Sequence, residues 1–425
     1  MIETDILVVG GGMVGAALAL GAARMGYAVT VVDAGPAPRP PGPARTVGDH
    51  DVRVSALTRS SDYLLRALGV WEALGGHATP YRHMHVWEGE TPRSGAIRFD
   101  AESVCQPDLG HIVENSQTRW ALWQALEAQS GVACLPETRL KTLQVLDDGV
   151  EAGLADGDGI RAGMLVGADG ARSWVRETLM WPTDERDYPH HALVANVRMA
   201  RSHRYTAWQR FLPSGPLALL PLGGQGDETL ISIVWSAWPD TLDGLMARSD
   251  EAFLEALTDA SQGVLGDALE VGPRQAFPLR YRQTQRFVQG PVVLLGDAAH
   301  TIHPLAGQGV NLGFRDVIGA LDVLARAREL GLPLAEPRLW QGWQRERRLD
   351  VTRTAAAMQF FCEVYGIALP GFMPLRRLGI SVVNRLAPVK RRIMCEALGI
   401  PDVGTNQPPV SNRACRSRWA VLSPP

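Results

Sequence analysis

The chain has 425 residues, 46% hydrophobic and 20% charged, which describes a globular protein long enough for two domains or more. A net charge of −3 argues against a nucleic-acid-binding protein, whose binding domain is clearly basic. Its five cysteines (Cys105, Cys134, Cys362, Cys395 and Cys415) form no CxxC pair and no His/Cys cluster at ligand spacing, so a reducing compartment and no metal site are expected. A buried-strand run begins at Ile6, too early for a signal peptide, and no apolar run reaches the roughly 18 residues of a membrane span. The expectation is a cytoplasmic protein.

The first fifty residues read as strand, turn, helix, strand and acid. Ile6 to Val9 is the strand, Gly10-Gly11-Gly12-Met13-Val14-Gly15 the turn, a small-residue helix runs to Met25, and Ala28 to Val32 leads into Asp33 and Ala34. In such a GxGxxG loop Gly10 permits the turn, Gly12 lets backbone approach a pyrophosphate, and Gly15 allows close helix packing. Asp33 stands where a carboxylate bonds the ribose hydroxyls of an adenine dinucleotide. The motif alone does not separate NAD from FAD. After the Pro-rich loop Pro36 to Pro43, Arg53 either reaches cofactor phosphates or is a plain surface arginine. Asn115 precedes a helix carrying Trp120, Leu122, Trp123 and Leu126, where an N-cap is the simple role. Met164 to Val166 then form an apolar strand ending in Gly167-Ala168-Asp169-Gly170, which again puts a carboxylate and flexible backbone at a strand's C-terminal end.

Between Leu193 and Arg286 the pattern becomes strands joined by turn-rich segments, an antiparallel sheet inserted into an α/β domain. Trp208, Phe211, Trp235 and Trp238 either line a pocket on that sheet or, more commonly for sheet aromatics, fill its core. The stretch Gly296-Asp297 to Asp316 follows the apolar run Pro291 to Leu295 and precedes helical spacing at Phe314, Val317, Ile318, Leu321 and Leu324. It has the character of a flavin seat: Asp297 placed for sugar-alcohol hydroxyls, and glycines either side of Gln308 so that a flat ring can lie on backbone amides at a positive helix end. An ordinary glycine-rich connector is the alternative. The helix is expected to end at Gly331, and a second long helix, Leu339 to about Tyr365, carries the charged turn Arg345-Glu346-Arg347-Arg348, expected on a solvated or interdomain face.

Gly10 to Gly15, Gly167 to Gly170 and Gly296-Asp297, taken in that order, resemble the group A flavoprotein monooxygenases of p-hydroxybenzoate-hydroxylase-like fold. His303-Pro304-Leu305-Ala306-Gly307-Gln308-Gly309-Val310-Asn311-Leu312-Gly313-Phe314-Arg315-Asp316 and Ala207-Trp208-Gln209-Arg210-Phe211-Leu212-Pro213 are similar to segments of the ubiquinone-biosynthesis hydroxylases that act on polyprenylated phenols. The resemblance covers roughly residues 3 to 400. It implies non-covalent FAD held by Gly10, Gly12, Met13, Val14, Gly15, Asp33, Ala34, Arg53, Asn115, Asp169, Gly296, Asp297, Pro304, Gly307, Gly309 and Asn311. The amides of Gly307, Gln308 and Gly309 would assist the chemistry at the ring. Asp33 departs from the glutamate common at that position, a shorter arm. NAD(P)H and O2 are the implied cosubstrates, acting through a flavin C4a-hydroperoxide that hydroxylates an aromatic ring. His300 and His303 are expected to be structural rather than catalytic.

The implied α/β architecture is a discontinuous Rossmann-like FAD-binding domain (1–178 and 287–366) with an inserted antiparallel-sheet substrate domain (179–286, joined by part of 80–110), a helical membrane-facing segment (367–400) and a tail (401–425). Residues 367–398 set Arg376, Arg377, Arg385, Lys390, Arg391 and Arg392 among apolar residues against Glu396 alone, a mixture suited to lying in a membrane interface. Peripheral attachment to the inner face of a membrane follows from a bilayer-dissolved substrate, with other ubiquinone-biosynthesis proteins as candidate partners and no nucleic acid. A flavin dehydrogenase or oxidase of a lipophilic substrate, and a non-catalytic FAD-binding scaffold, are the competing functions.

Overall fold

The computed structural model describes residues 1–42, 44–92, 95–155, 157–224, 226–302, 309–366, 384 and 386–400. Its first sheet has five parallel strands side by side, in the order Val292–Leu294, Gly159–Gly167, Ile2–Val9, Val29–Val32 and Val132–Leu135. Ile6, Leu7 and Val8 are fully buried, as a continuous apolar run must be when both faces of a parallel sheet are covered. The helix Met13–Arg24 is rich in buried Gly and Ala, and the small residues have a reason. A Cβ on Gly21 would come within 2.6 Å of Leu321 in the seat helix Gly309–Leu330, so the two helices touch almost backbone to side chain.

The second sheet runs His300–Thr301, Gln275–Thr284, Thr183–Met199, Leu230–Ala237, Gly215–Pro221, Thr206–Leu212, His83–Trp87 and Ala96–Asp100, with Ala268–Val271 beside Thr183–Met199. Its pairs are antiparallel except Thr206–Leu212 with His83–Trp87. Two features differ from the expectation. The strand expected from Leu193 begins at Thr183, because the charged run Thr183 to Asp187 pairs along Gln275–Thr284 and so meets its backbone bonds despite its polarity. The helices Pro239–Met246 and Asp250–Ser261 gave no sequence prediction; the second is capped by Ser249, whose side chain accepts from the Ala252 amide.

Directly opposed residues share a face, so register assigns the aromatic side chains. Leu193, Trp235 and Leu217 are aligned, and Trp235 packs toward Phe253 of the helix Asp250–Ser261 with ring centroids 6.4 Å apart. Trp208, opposite Leu219, belongs to the same apolar cluster. Trp235 is therefore core, whereas Trp208 packs against that core and also borders a hollow at the end of the sheet. Phe211 shares the opposite face with Ala207 and Gln209, that of Ala218, Val234, Val194 and Phe277, whereas Trp238 is 47% exposed at the start of Pro239–Met246. A small third sheet, Val54–Thr58 with Gly110–Glu114 and Thr79–Tyr81, joins that face in one apolar cluster.

Helix ends follow their chemistry. The seat helix stops at Leu330 because Gly331 takes φ +62°, while the Leu332 amide returns to the Ala327 carbonyl. The long helix is Pro337–Gly366, and its charged turn is only partly solvated: Arg345, Glu346 and Arg348 are exposed but Arg347 is buried. The helix Ala387–Leu398 seats Met394, Cys395 and Leu398 in the third sheet's cluster and leaves Leu386, Val389 and Ile393 at 47%, 44% and 44% exposure on its outer side.

Candidate active site

Strand register alone brings three sequence motifs together. Val9 pairs with Gly167 and Val32, and Gly167 with Leu294, so the loops that follow these strands emerge at one level on the carboxyl edge of the sheet, where open α/β sheets bind ligands. Gly10 takes φ +104°, and a Cβ there would lie 2.4 Å from the Ala168 carbonyl oxygen: the first loop turns only because the second passes directly behind it. The third loop is locked to the first by Val14. Its methyls would meet a Cβ on Gly313 at 2.6 Å and one on Gly296 at 3.2 Å, so the two helix N-termini face one another.

What these loops offer is bare backbone. Gly12 precedes Met13–Arg24 with no side-chain cap and no acidic residue in the first turn, and nothing lies within 4 Å of a Cβ built on it. No described residue lies within 4 Å of a Cβ built on Gly309, at the start of the seat helix. An uncapped helix end with partial positive charge suits an anionic group, and the start of a second helix an electron-rich one. Asp33 stands just after the strand Val29–Val32: its Oδ2 accepts from the Gly11 amide at 2.6 Å, leaving that oxygen a further lone pair, while its Oδ1 accepts from the Gly35 amide at 2.8 Å and from Arg119 at 3.4 Å. Ala34 is exposed beside it.

Two carboxyl groups mark the other loops. Burial pushes the Asp169 carboxyl above the usual range; its Oδ2 accepts from the Val175 amide at 3.1 Å, while its Oδ1 is buried without a partner. Asp297 is exposed to solvent, yet protein surrounds it closely enough that burial raises its carboxyl too, with His300 and Arg53 pulling the other way. A side chain that is wet and still deeply surrounded lines a hollow. Arg53 reaches this hollow's edge with its guanidinium over the Phe277 ring at 5.6 Å. A carboxylate oxygen without a partner among the described residues, an open glycine at an uncapped helix end and a carboxyl in a hollow are what an extended dinucleotide with sugar hydroxyls and a flat ring would satisfy, so the residues fit FAD.

Other expected ligands are placed differently. Asn115 is the first residue of its helix rather than the cap; Glu114 stands at the cap position, its carboxylate occupied by the Asp51 amide and His50, and Asn115 Oδ1 accepts from Ser55 at 2.6 Å. The Asn311 side chain is a tie within the protein: Oδ1 accepts from the Thr58 amide and the Ser61 hydroxyl at 2.9 and 2.7 Å, and Nδ2 donates to the Ala56 carbonyl at 2.8 Å. It leaves the backbone amide of Asn311, in the first helical turn, as its offering to a ligand. Asn311→Ala should therefore lower stability by about 1–3 kcal/mol for each buried partner it strands, with FAD affinity little changed in the folded fraction; flavin loss at unchanged thermal midpoint would mark the side chain as a ligand instead. His303, Pro304, Gly307 and Gln308 lie outside the described residues.

Sequence reasoning missed the polar ties that hold the loops. Arg119 and Trp123 both donate to the Gly11 carbonyl, at 3.1 and 2.6 Å, and Arg119 lies 3.4 Å from Asp33 Oδ1. Arg176 donates to Ala298 and Ala171 at 2.8 and 2.9 Å, stapling the second loop to the third. Beneath the seat, Asp316 is fully buried: its Oδ2 accepts from the Gly296 amide at 2.9 Å and from His300 Nε2 at 2.6 Å, its Oδ1 from Arg347 Nε at 2.7 Å. Burial alone would raise that carboxyl, but His300 and Arg347 outweigh it and hold it below the usual range. His300 is thus a structural member of this network.

Residues 3–353 match the family described as "FAD binding domain". The chain is 37% identical over 398 residues to the Escherichia coli (strain K12) 3-demethoxyubiquinol 3-hydroxylase, covering 93% of this chain and 99% of the relative. It is 30% identical to the human mitochondrial ubiquinone biosynthesis monooxygenase COQ6, covering 92% of each. Among solved structures, the p-nitrophenol 4-monooxygenase PnpA from Pseudomonas putida DLL-E4 superposes with a TM-score of 0.75 over 93% of this chain and 98% of that one; at 19% identity this speaks for the fold alone. With motifs, strand register and these relatives in agreement, the chain belongs to the FAD-binding-domain family and, within it, to the ubiquinone-biosynthesis hydroxylases of p-hydroxybenzoate-hydroxylase-like fold.

Proposed function

We propose that this protein is an FAD-dependent NAD(P)H monooxygenase that hydroxylates the ring of a polyprenylated phenol in ubiquinone biosynthesis, working at a membrane surface. The observation that carries the reading is the single carboxyl-edge site formed by three loops, in a chain that aligns with 99% of a ubiquinol-ring hydroxylase. FAD, once bound, supplies the electron transfer from NAD(P)H and the O2 activation that ring hydroxylation requires. The protein's own part is placement. The amides after Gly12 would hold the pyrophosphate, Asp33 the adenosine ribose, Asp297 the ribityl hydroxyls, and Arg53, Asn115 and Asp169 the stretch between them. The seat-helix amides from Gly309, with Pro304, Gly307 and Gln308 ahead of them, would border the ring. Over this lies the apolar face of the second sheet, with Val194, Val234, Ala218, Leu220 and Phe211, which keeps water from the reacting ring. In this division residues 1–178 and 287–366 bind FAD, and 179–286 with part of 80–110 cover the substrate.

Phenol-dependent NAD(P)H oxidation by the purified protein, with an oxygen atom from O2 in the product, tests the reading. Bound FAD with no turnover would identify a scaffold, and oxidation of the substrate without oxygen incorporation a dehydrogenase. Gly309→Val sharpens it. No described residue lies within 4 Å of the added Cβ, so the fold should persist, but the valine would fill the space in which a ring approaches the amides. Loss of such a preorganised donor costs roughly 3–4 kcal/mol; hydroxylation should fall about a hundredfold at near-normal flavin content. Unchanged phenol-dependent oxidation would remove the seat-helix amides from the chemistry.

One observation supports a membrane surface: the exposed stripe Leu386, Val389 and Ile393 runs beside Lys390, Arg391 and Arg392, and no helix among the described residues is long and apolar enough to cross a bilayer instead. Arg376, Arg377 and Arg385 lie outside the described residues. Sedimentation with anionic liposomes should weaken as salt rises, each basic residue contributing about 1 kcal/mol at low ionic strength; salt-independent failure to sediment would refute docking.

A further inference from the structure

At the far end of the second sheet from its flavin-side edge strand His300–Thr301, a hollow of about 770 Å³ opens where Ala96–Asp100 ends, His83–Trp87 and Thr206–Leu212 begin, and the chain turns after Met199. That volume is in the range that takes a small ligand or a headgroup. Its wall combines apolar residues, Val264 and Leu265 among them, with three arginines. Arg98, Arg201 and Arg204 line it, exposed, and their guanidinium groups form no ion pair or hydrogen bond among the described residues. The carboxylate on this wall, Asp100, is engaged by His83 Nδ1 at 2.7 Å.

A further donor lies at the same place. Trp208 Nε1, which has no accepting capacity, is buried without a hydrogen-bond partner among the described residues. Natural structures rarely leave a buried N–H unmet, and three guanidinium groups that line the hollow without a partner among the described residues select for an oxyanion.

The surroundings indicate which oxyanion. Ala96–Asp100 is the edge strand of its sheet, with Arg98 and Asp100 on the face of the hollow and Phe99 on the other, where Lys390 of the C-terminal helix lies 6.0 Å from its ring centroid. The Arg98 amide is 3.5 Å from Asn384 Oδ1, just ahead of that helix. A planar surface laid along this edge meets both the hollow and the exposed stripe Leu386, Val389 and Ile393. We infer that the hollow seats the phosphate of an anionic phospholipid, a defined headgroup site that orients the enzyme on the membrane. This rests on the membrane-surface reading above.

The test uses the FAD-loaded full chain and vesicles of phosphatidylglycerol in phosphatidylcholine. The variant Arg98→Gln/Arg201→Gln/Arg204→Gln should bind about a hundredfold more weakly, and Arg201→Gln alone about fivefold, the single change guarding against a fold defect in the triple. A control of equal charge, Arg139→Gln/Arg161→Gln/Arg345→Gln, should bind as the wild type does. Equal loss in both triples would mean diffuse attraction and overturn the site. Inorganic phosphate bound by the wild type and lost in the first triple, with vesicle binding untouched, would assign the hollow to a free phosphate and overturn the lipid. Phenol-dependent NAD(P)H oxidation with a short-chain substrate in detergent is read in parallel: normal oxidation and salt-sensitive vesicle binding that persists in the first triple sink this inference alone, whereas absent oxidation with site-specific vesicle binding sinks the enzymatic reading alone.

Discussion

Gly12→Val is expected to give a protein that folds like the wild type and is colourless. Gly12 sits at φ −68° and ψ 179°, a conformation open to any residue, and no atom of the described residues lies within 4 Å of the added Cβ. The space is free for a ligand, and the bare helix end beyond it points at that space. A side chain there keeps a pyrophosphate away from the first-turn amides; losing two hydrogen bonds to a charged group, at about 1.5–3 kcal/mol each, weakens FAD by about a hundredfold or more. Gly15→Val makes the contrast. Its Cβ would stand 2.0 Å from the Gly10 carbonyl oxygen and 3.1 Å from the Ala168 Cβ, backbone and near-backbone atoms that cannot swing aside, so stability should fall by roughly 3 kcal/mol or more along with the flavin. Flavin absorbance per protein and the thermal midpoint of the flavin-free form separate the two. A Gly12→Val protein retaining stoichiometric FAD would show that the pyrophosphate lies elsewhere.

The glycines of this first loop were legible because their requirement is local: a turn, a close approach and a helix start are encoded within six residues. The order of the three loops was legible for a related reason, since each follows an apolar strand and the parallel register of Val9, Gly167 and Leu294 then puts them side by side. What stayed hidden depends on partners far away in the chain. Arg119 reaches Asp33 across 86 positions and Arg176 reaches Ala298 across 122, and an arginine on a polar helix face looks the same in sequence whether it meets water or a carbonyl. Asn311 read as a ligand because it stands at the seat, but its side chain faces Ala56, Thr58 and Ser61. Periodicity also failed at Thr183 to Asp187, where pairing rather than burial makes the strand, and it gave no face for Trp208 and Trp235 until the register with Leu219 and Leu193 was known.

Asp316→Ala should be among the most damaging single changes in the chain, although Asp316 touches neither the cofactor hollow nor the substrate face directly. Its carboxylate is fully buried and answers two cationic-type partners and one backbone amide: Arg347, His300 and Gly296. Removing it leaves Arg347 with only Asp350 at 2.8 Å and strands the Gly296 amide. Breaking a buried ion pair from one side costs about 3–5 kcal/mol, because the remaining charge stays desolvated. Gly296 and Asp297 form one turn, so the loss should also loosen the carboxyl meant for the ribityl chain, and flavin content should fall with stability. The pH dependence has a definite sign. The folded carboxyl titrates below its ordinary value, so its contribution is fully present above the unfolded pKa of about 3.9 and is lost as pH falls through the lower folded value. The gap in unfolding free energy between wild type and Asp316→Asn, which keeps the shape without the charge, should be constant near neutrality and close only in acid, below about pH 4. A gap that closed well above pH 4 would remove the Asp316 charge from the stability of the fold, and an Asp316→Ala protein as stable as the wild type would show that the buried network does not hold the seat.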